Sequence, residues 1–288
     1  MDMTQLGEDA YEEGKYLKAL NYFLKGYEED KDSYTLLNIA LTYQALKDND
    51  KAMSLYKAII EEDPDEAMAY YGVASLYDEQ KDYEKAIFYY EQAIDIDPLY
   101  DRAYFFLANA YDNLGDSQKA IFYYKALLDM VPDDFWALTN LGSIYENLEL
   151  IDFAYQMFKK ALAIEPSHAV GLFNMAVILS KLHRFNEAIT YYQKSISQDK
   201  YYPYAFLNLA VLYKEQGELQ KGLDVLTEGI EYNEEGFLYY NRACFYALLG
   251  NKEASKKDLD HSITLHPGFL EYAKKDKDLA EIVKCESN

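Results

Sequence analysis

Ala69-Tyr70-Tyr71-Gly72-Val73-Ala74 leads through Tyr77, Tyr83, Ala86, Tyr90 and Ala93 to Pro98, and the same residue types return along the chain at a fixed interval. Pro64, Pro98, Pro132 and Pro166 stand 34 residues apart. A proline after an acidic or apolar helix end stops that helix and opens the next segment. Counting from the third residue after each proline, small side chains occupy the eighth place: Ala40, Ala74, Ala108, Gly142, Ala176, Ala210 and Ala243. They return at the twentieth place as Ala52, Ala86, Ala120, Ala154, Ala188, Gly222 and Ser255. Small residues at matched places let two helices cross closely. Tyr43, Tyr77, Tyr111, Tyr145, Tyr213 and Tyr246 lie between them, with Leu179 as the exception. Phe23, Tyr56, Tyr90, Tyr124, Phe158 and Tyr192 form a second row, continued by Leu226 and Leu259. The apolar spacing of three and four is helical. Turns such as Gln80-Lys81-Asp82 and Leu114-Gly115-Asp116 split each interval into two helices.

This pattern of small, Tyr, small, aromatic, small and Pro over 34 residues resembles the tetratricopeptide repeat. The repeats are placed at 1–32, 33–66, 67–100, 101–134, 135–168, 169–202, 203–235 and 236–269, with 270–288 as a capping helix and frayed tail. The fold class is therefore all-α, a right-handed superhelical α-solenoid of helix–turn–helix repeats, because single hairpins bury their apolar faces only by stacking. Repeats six to eight depart most, with Leu179 for Tyr, Gly222 and Ser255 for Ala, and Lys200 and Glu234 for Pro, and are expected to pack more loosely. In the tail, Leu270, Tyr272, Ala273, Leu279, Ile282 and Val283 can form an apolar face. Lys274, Lys275, Lys277 and Lys284 then point outward, and Cys285–Asn288 frays.

The resemblance also implies which residues line a concave groove. On each first helix the sixth place gives Asn38, Gly72, Phe106, Asn140, Asn174, Asn208 and Asn241. A carboxamide carries donor and acceptor together. Asparagines in register can bond a guest peptide's backbone, or can bond within their own hairpins. The second and fifth places are aromatic: Tyr34, Tyr71, Phe105, Trp136, Phe173, Tyr204, Phe237 and Tyr240. Such rings serve as interface anchors or pack between adjacent hairpins. Asp78, Glu79, Asp112 and Glu146 fall at the twelfth and thirteenth places, and Lys181 and Lys214 follow in later repeats, so a guest is expected to put basic residues toward the N-terminal half. The family's two-carboxylate clamp is not expected, since only Arg102 and Asn109 match it. Cys244 falls at the groove-facing ninth place and is expected to be a half-exposed thiol.

Bulk properties narrow the function classes. The net charge is −22; residues 1–134 hold 12 basic and 29 acidic side chains, a net of −17, against −5 for residues 135–288. That surface repels phosphate backbones, so nucleic acid and anionic membrane are not expected as partners. Met1-Asp2-Met3-Thr4 is no signal sequence and no apolar run reaches membrane-helix length, so a cytoplasmic location is expected. His168, His183, His261 and His266 do not pair at metal-ligand spacing, although Asp258 and Asp260 lie near the last two. Phosphate loops, dinucleotide fingerprints and nucleophile elbows are lacking. No enzyme, cofactor or metal is expected. The function implied is a scaffold that binds a protein or peptide segment in the concave groove. The alternatives are a self-assembling structural protein, with a homo-oligomer left open, and a peptide-sensing regulator.

Overall fold

Helices form where apolar side chains recur every three or four residues, and they stop where a polar side chain or a left-handed residue ends the ladder. The computed structural model describes residues 2–279, 282 and 283; Lys284 and Cys285–Asn288 of the expected tail lie outside them. Among the described residues the chain is helical without strands. The first helices of successive pairs are α1 (Met3–Glu12), α3 (Ser33–Ala45), α5 (Ala67–Glu79), α7 (Asp101–Asn113), α9 (Phe135–Asn147), α11 (Ala169–Lys181), α13 (Pro203–Glu215) and α15 (Gly236–Leu248). The second helices are α2 (Tyr16–Glu29), α4 (Asn49–Glu62), α6 (Tyr83–Ile96), α8 (Ser117–Met130), α10 (Ile151–Ile164), α12 (Phe185–Gln198), α14 (Leu219–Tyr232) and α16 (Lys252–Leu265). A short α17 (Phe269–Ala273) follows. The chain divides into two compact units, Met1–Ala137 and Leu138–Asn288. In the first, α1 to α8 pack pairwise and each second helix also touches the next first helix. In the second, α10 to α16 repeat that arrangement.

The turns explain the recurring boundaries. Asp48, Asp82 and Asp116 each accept a hydrogen bond from the backbone N–H three residues on, at 3.4, 3.3 and 3.1 Å, and so cap α4, α6 and α8. Just before each second helix one residue takes left-handed backbone. It is Gly115 (φ 81°) or Gly217 (φ 78°) in some pairs, but Lys81 (φ 61°) or His183 (φ 58°) in others. At Gly115 the following N–H, of Asp116, reaches back to the Tyr111 carbonyl at 2.9 Å, closing the end of α7.

The core is a ring-on-small-residue contact repeated pair by pair. Tyr56, Tyr90, Tyr124 and Phe158 are fully buried, and Phe23, Tyr192, Leu226 and Leu259 continue the row in buried positions. A Cβ on Gly142 would lie 2.6 Å from the Phe158 ring, so the ring fills the space that the missing side chain leaves. Two of the substituted places in the later repeats are closely packed. The Phe245 ring closes directly on Gly222, and the Ser255 hydroxyl donates to the Ala243 carbonyl at 2.8 Å with no exposure of either residue.

The C-terminal segment corrects two expectations. It is not one capping helix: α17 spans five residues and is followed by turns. Tyr272, assigned to its apolar face, is 66% exposed. Ala273, Leu279 and Ile282 do pack inward, against Ala243, Cys244 and Leu259. Cys244 is thereby buried, 5% exposed, and desolvation pushes its thiol up to about 12. It is not the half-exposed thiol the repeat place suggested, because the chain's own end covers that place.

Two measurements check this description. Gly217→Ala should lower stability to urea by about 1 kcal/mol, because a Cβ disfavours left-handed backbone, while Lys81→Gly should shift stability the opposite way by a similar or smaller amount. In a Cys285→Ser chain, Cys244 should resist a thiol reagent at neutral pH, and Leu279→Ala should speed its modification at least about tenfold by loosening the cover. Fast modification of the parent chain would show that the segment does not shield the thiol.

Candidate functional site

In the first unit, the face made by the first helices opens into a cavity of about 530 Å³. Its walls come from four successive first helices, through Tyr11, Gln44, Tyr71 and Phe106, with Tyr90 reaching in from α6. Tyr71 sits 5.6 Å from Tyr90, 5.1 Å from Tyr100 and 6.0 Å from Phe106, ring centre to ring centre. It is only 7% exposed, so this ring packs between hairpins and shows the cavity little more than an edge. Phe105 is half-buried beside Phe106 and Tyr124. Trp136 is 49% exposed and lines a smaller cavity of about 210 Å³ with Phe105, Phe106 and Arg102. Asn38 is half-buried, and its amide nitrogen is enclosed near the Tyr34 hydroxyl.

Charge in this cavity is polarised. Asp78 and Glu79 end α5, where the helix carbonyls already point and negative charge is least welcome. Glu79 is met by Gln44, Lys47 and Asn49 at 3.3, 3.4 and 3.4 Å. Asp78 takes one long hydrogen bond, from the Tyr90 hydroxyl at 3.4 Å, and burial raises its pKa above the usual aspartate value. Burial raises Asp112, at the same place one repeat on, in the same direction. Arg102 lies over the Tyr71 ring, 5.3 Å from its centre. The acidic places were legible in the sequence. Gln44 shares their twelfth place and follows from the same count, whereas Tyr90 reads as core on a second helix and Tyr11 lies in a first repeat displaced by one residue from the count.

In the second unit the asparagines at the sixth place, Asn140, Asn174, Asn208 and Asn241, are all half-buried on first helices. Their surroundings differ. The Asn241 amide donates to the Phe237 carbonyl at 2.8 Å, inside its own helix. Burial raises the Tyr192 phenol to about 12, and the Asn208 amide at that hydroxyl acts against the rise. Phe173 is half-buried against Tyr192 and Tyr202, at 5.9 and 5.1 Å. Tyr204, 51% exposed, stacks on the half-buried Phe237 at 5.4 Å and 11°. Lys181 pairs with Glu146 at 2.9 Å.

The C-terminal segment lies over α13 and α15. The Tyr240 hydroxyl donates to Asp276 at 2.8 Å, and Lys214 pairs with Asp278 at 2.5 Å. Cys244, Asp276 and Asp278 bring one potential metal-ligand atom each within 4.8 Å of one another. The Lys214 ammonium already neutralises Asp278, and the raised thiol pKa opposes the thiolate a metal prefers, so the group reads as a fastening of the chain end. Asp258, near the two late histidines, is bound by Arg242 at 2.6 and 2.9 Å, and His261 packs edge-on to Tyr239 at 4.3 Å. Among the described residues no helix is long and apolar enough to cross a membrane.

Models of the tetratricopeptide repeat match residues 32–98, 79–141, 137–168, 157–190 and 238–269. Among solved structures, a tetratricopeptide repeat protein from Parabacteroides merdae ATCC 43184 is 18% identical, with a TM-score of 0.66 over 89% of this chain and 99% of its own. The APC/C hetero-tetramer Cut9-Hcn1 is 15% identical, with a TM-score of 0.63 over 93% of this chain; the match spans 52% of that chain, about half its length. YrrB, a protein of this repeat type with an unusual peptide-binding site, is 23% identical, with a TM-score of 0.53 over 62% of this chain and 92% of its own. At such identities the likeness is one of fold. No curated protein matches the sequence. Repeat models across both units, the helix pairs and the ring-on-small-residue core agree: the chain belongs to the tetratricopeptide repeat family.

Proposed function

We propose that this chain is an interaction scaffold whose first-helix faces bind a peptide or protein segment. The tetratricopeptide repeat is generally a protein-interaction fold. The observation that carries the reading is the combination of half-buried amides at one-repeat spacing with the exposed Tyr204 ring stacked on Phe237, all on the first-helix face of the second unit. A peptide backbone offers one donor and one acceptor per residue, which matches carboxamides repeated along a face. Exposed aromatic rings supply the apolar contact that anchors such a guest. Asn38, Tyr71, Phe105 and Trp136 on the first unit, and Asn140, Phe173, Asn174, Tyr204, Asn208, Phe237, Tyr240 and Asn241, are the residues assigned to contact it. The strength of that assignment varies along the row. Tyr71 is covered by neighbouring rings and Tyr240 is held by Asp276, whereas Trp136 and Tyr204 keep about half their surface exposed. The excess of acid in residues 1–134 favours a guest with basic residues on the first unit.

An array of short peptides probed with the full chain tests the reading. Replacing Asn140, Asn174, Asn208 and Asn241 together by Ala should weaken captured peptides by on the order of 0.5–1.5 kcal/mol per lost hydrogen bond, with helix content unchanged. Unaltered affinity would remove the amides from the mechanism. Binding of peptides that engage the first unit should weaken as salt rises; an affinity independent of salt contradicts the electrostatic part. Light scattering over a range of concentrations separates this reading from self-assembly, in which the mass grows with concentration.

A further inference from the structure

The cavity of the first unit has two chemically distinct ends. Arg102, in the first turn of α7, lies over the face of Tyr71, in the first turns of α5. Asp78 stands seven residues beyond Tyr71 on α5, about 10 Å along the helix axis. The two ends are thus a guanidinium and a pair of carboxylates, Asp78 and Glu79, of which Glu79 is matched by Lys47 and Asp78 is not; they are separated by about two helical turns.

The Asp78 end is the one left unsatisfied. Its neighbour Glu79 is met by three side-chain donors, one of them the Lys47 ammonium, but among the described residues the Asp78 carboxylate has only the long bond from Tyr90. It sits in the last turn of its helix, where the backbone dipole also presents negative charge, and no basic residue occupies that turn. Partial burial opposes its ionisation. A cation placed there relieves all three conditions together. One wall suits it: the half-buried Phe106 ring offers aromatic carbon on which the alkyl stem of a long basic side chain packs, while the buried Tyr71 and Tyr90 rings only shape the cavity. Arg102 rests on Tyr71 from within the chain. Its charge also repels an incoming cation from the far end and so directs it to Asp78. A volume of about 530 Å³ holds one long side chain with space to spare.

We propose that this cavity is a subsite for a single lysine or arginine side chain of a protein partner, with Asp78 as the countercharge, the half-buried Phe106 ring as the packing wall, the buried Tyr71 and Tyr90 rings holding the cavity's shape, and Arg102 setting the direction of entry. The assignment rests on the peptide-binding reading and sharpens it from a general preference for basic guests to one pocket.

The test uses the full chain and a small probe, so that it does not depend on finding a peptide. Saturation-transfer NMR should detect N-acetyl-L-lysine amide, with saturation on the side-chain methylenes, and should detect N-acetyl-L-norleucine amide several-fold more weakly. Asp78→Asn, which keeps the shape and an acceptor for the Tyr90 hydroxyl, should reduce the lysine signal to that of norleucine. Asp112→Asn should leave most of it, and Arg102→Gln should increase it. A lysine signal that survives Asp78→Asn, a norleucine signal equal to that of lysine, or equal loss in Asp78→Asn and Arg102→Gln would each overturn the proposal. The peptide array reports separately on the wider reading. Captured peptides that depend on the asparagines but not on Asp78 would leave that reading standing and remove this subsite. A lysine probe that depends on Asp78, with no captured peptides, would do the reverse.

Discussion

A large buried side chain on each second helix, a ring in the first six and leucine in the last two, packed where the helices carry small residues, is the contact on which the rest of this structure depends. Phe158 against Gly142 and Tyr56 against Gly72 show it, since one added carbon would intrude on either ring. Close approach puts many atoms in van der Waals range, and deep burial of Tyr56, Tyr90 and Tyr124 removes a large apolar area from water. Overpacking such a site typically costs about 1–3 kcal/mol, so the small residue is as necessary as the ring. The contact recurs at one-repeat spacing, and it therefore aligns the first helices of each unit side by side. Everything offered on their common face follows from that alignment.

That face is not uniform, and the difference between the second and fifth repeat places shows why. Tyr34, Trp136 and Tyr204, at the second place, keep about half their surface, at 55, 49 and 51% exposure. Tyr71, at the fifth, is enclosed by Tyr90, Tyr100 and Phe106, and Phe105 and Phe173 are partly enclosed by rings of their own and adjoining hairpins. A helix turns about 100° per residue, so the fifth place points nearer the seam with the neighbouring helix than the second does. The fifth-place rings are the more enclosed, and Tyr34, Trp136 and Tyr204 at the second place the more exposed.

The chain end has a double effect in the second unit. Ala273, Leu279 and Ile282 cover the apolar edge of the last helix pair, as a terminal repeat requires. Asp276 and Asp278 meanwhile engage Tyr240 and Lys214, two places expected to face a guest. Covering the edge and crossing the face are done by the same few residues, because the segment leaves α17 through a turn and lies across α13 and α15. Two aspartates of the segment satisfy local donors that would otherwise face solvent, and its apolar residues cover Cys244.

The sequence by itself determined the helix pairs, their spacing, the identity of the core rings and small residues, and the acidic bias of the first half. Each of these is a local or periodic property: propensity, the three-and-four spacing, a capping Asp, a stop at proline. The tertiary structure alone decided which candidate side chains remain open. Tyr71 and Tyr204 are both tyrosines on a first helix, yet one is enclosed and the other exposed, because burial depends on which rings the adjoining hairpins bring near. Asn208 and Asn241 share one repeat place but differ in partner, a tyrosine hydroxyl for the first and its own helix's carbonyl for the second. The placing of Asp276 and Asp278 over α13 and α15 is a contact across 64 residues between Lys214 and Asp278, and no periodicity encodes it. Residues far apart in sequence compete for the same donors only once the chain is folded, and that competition sets the chemistry each site has left to offer.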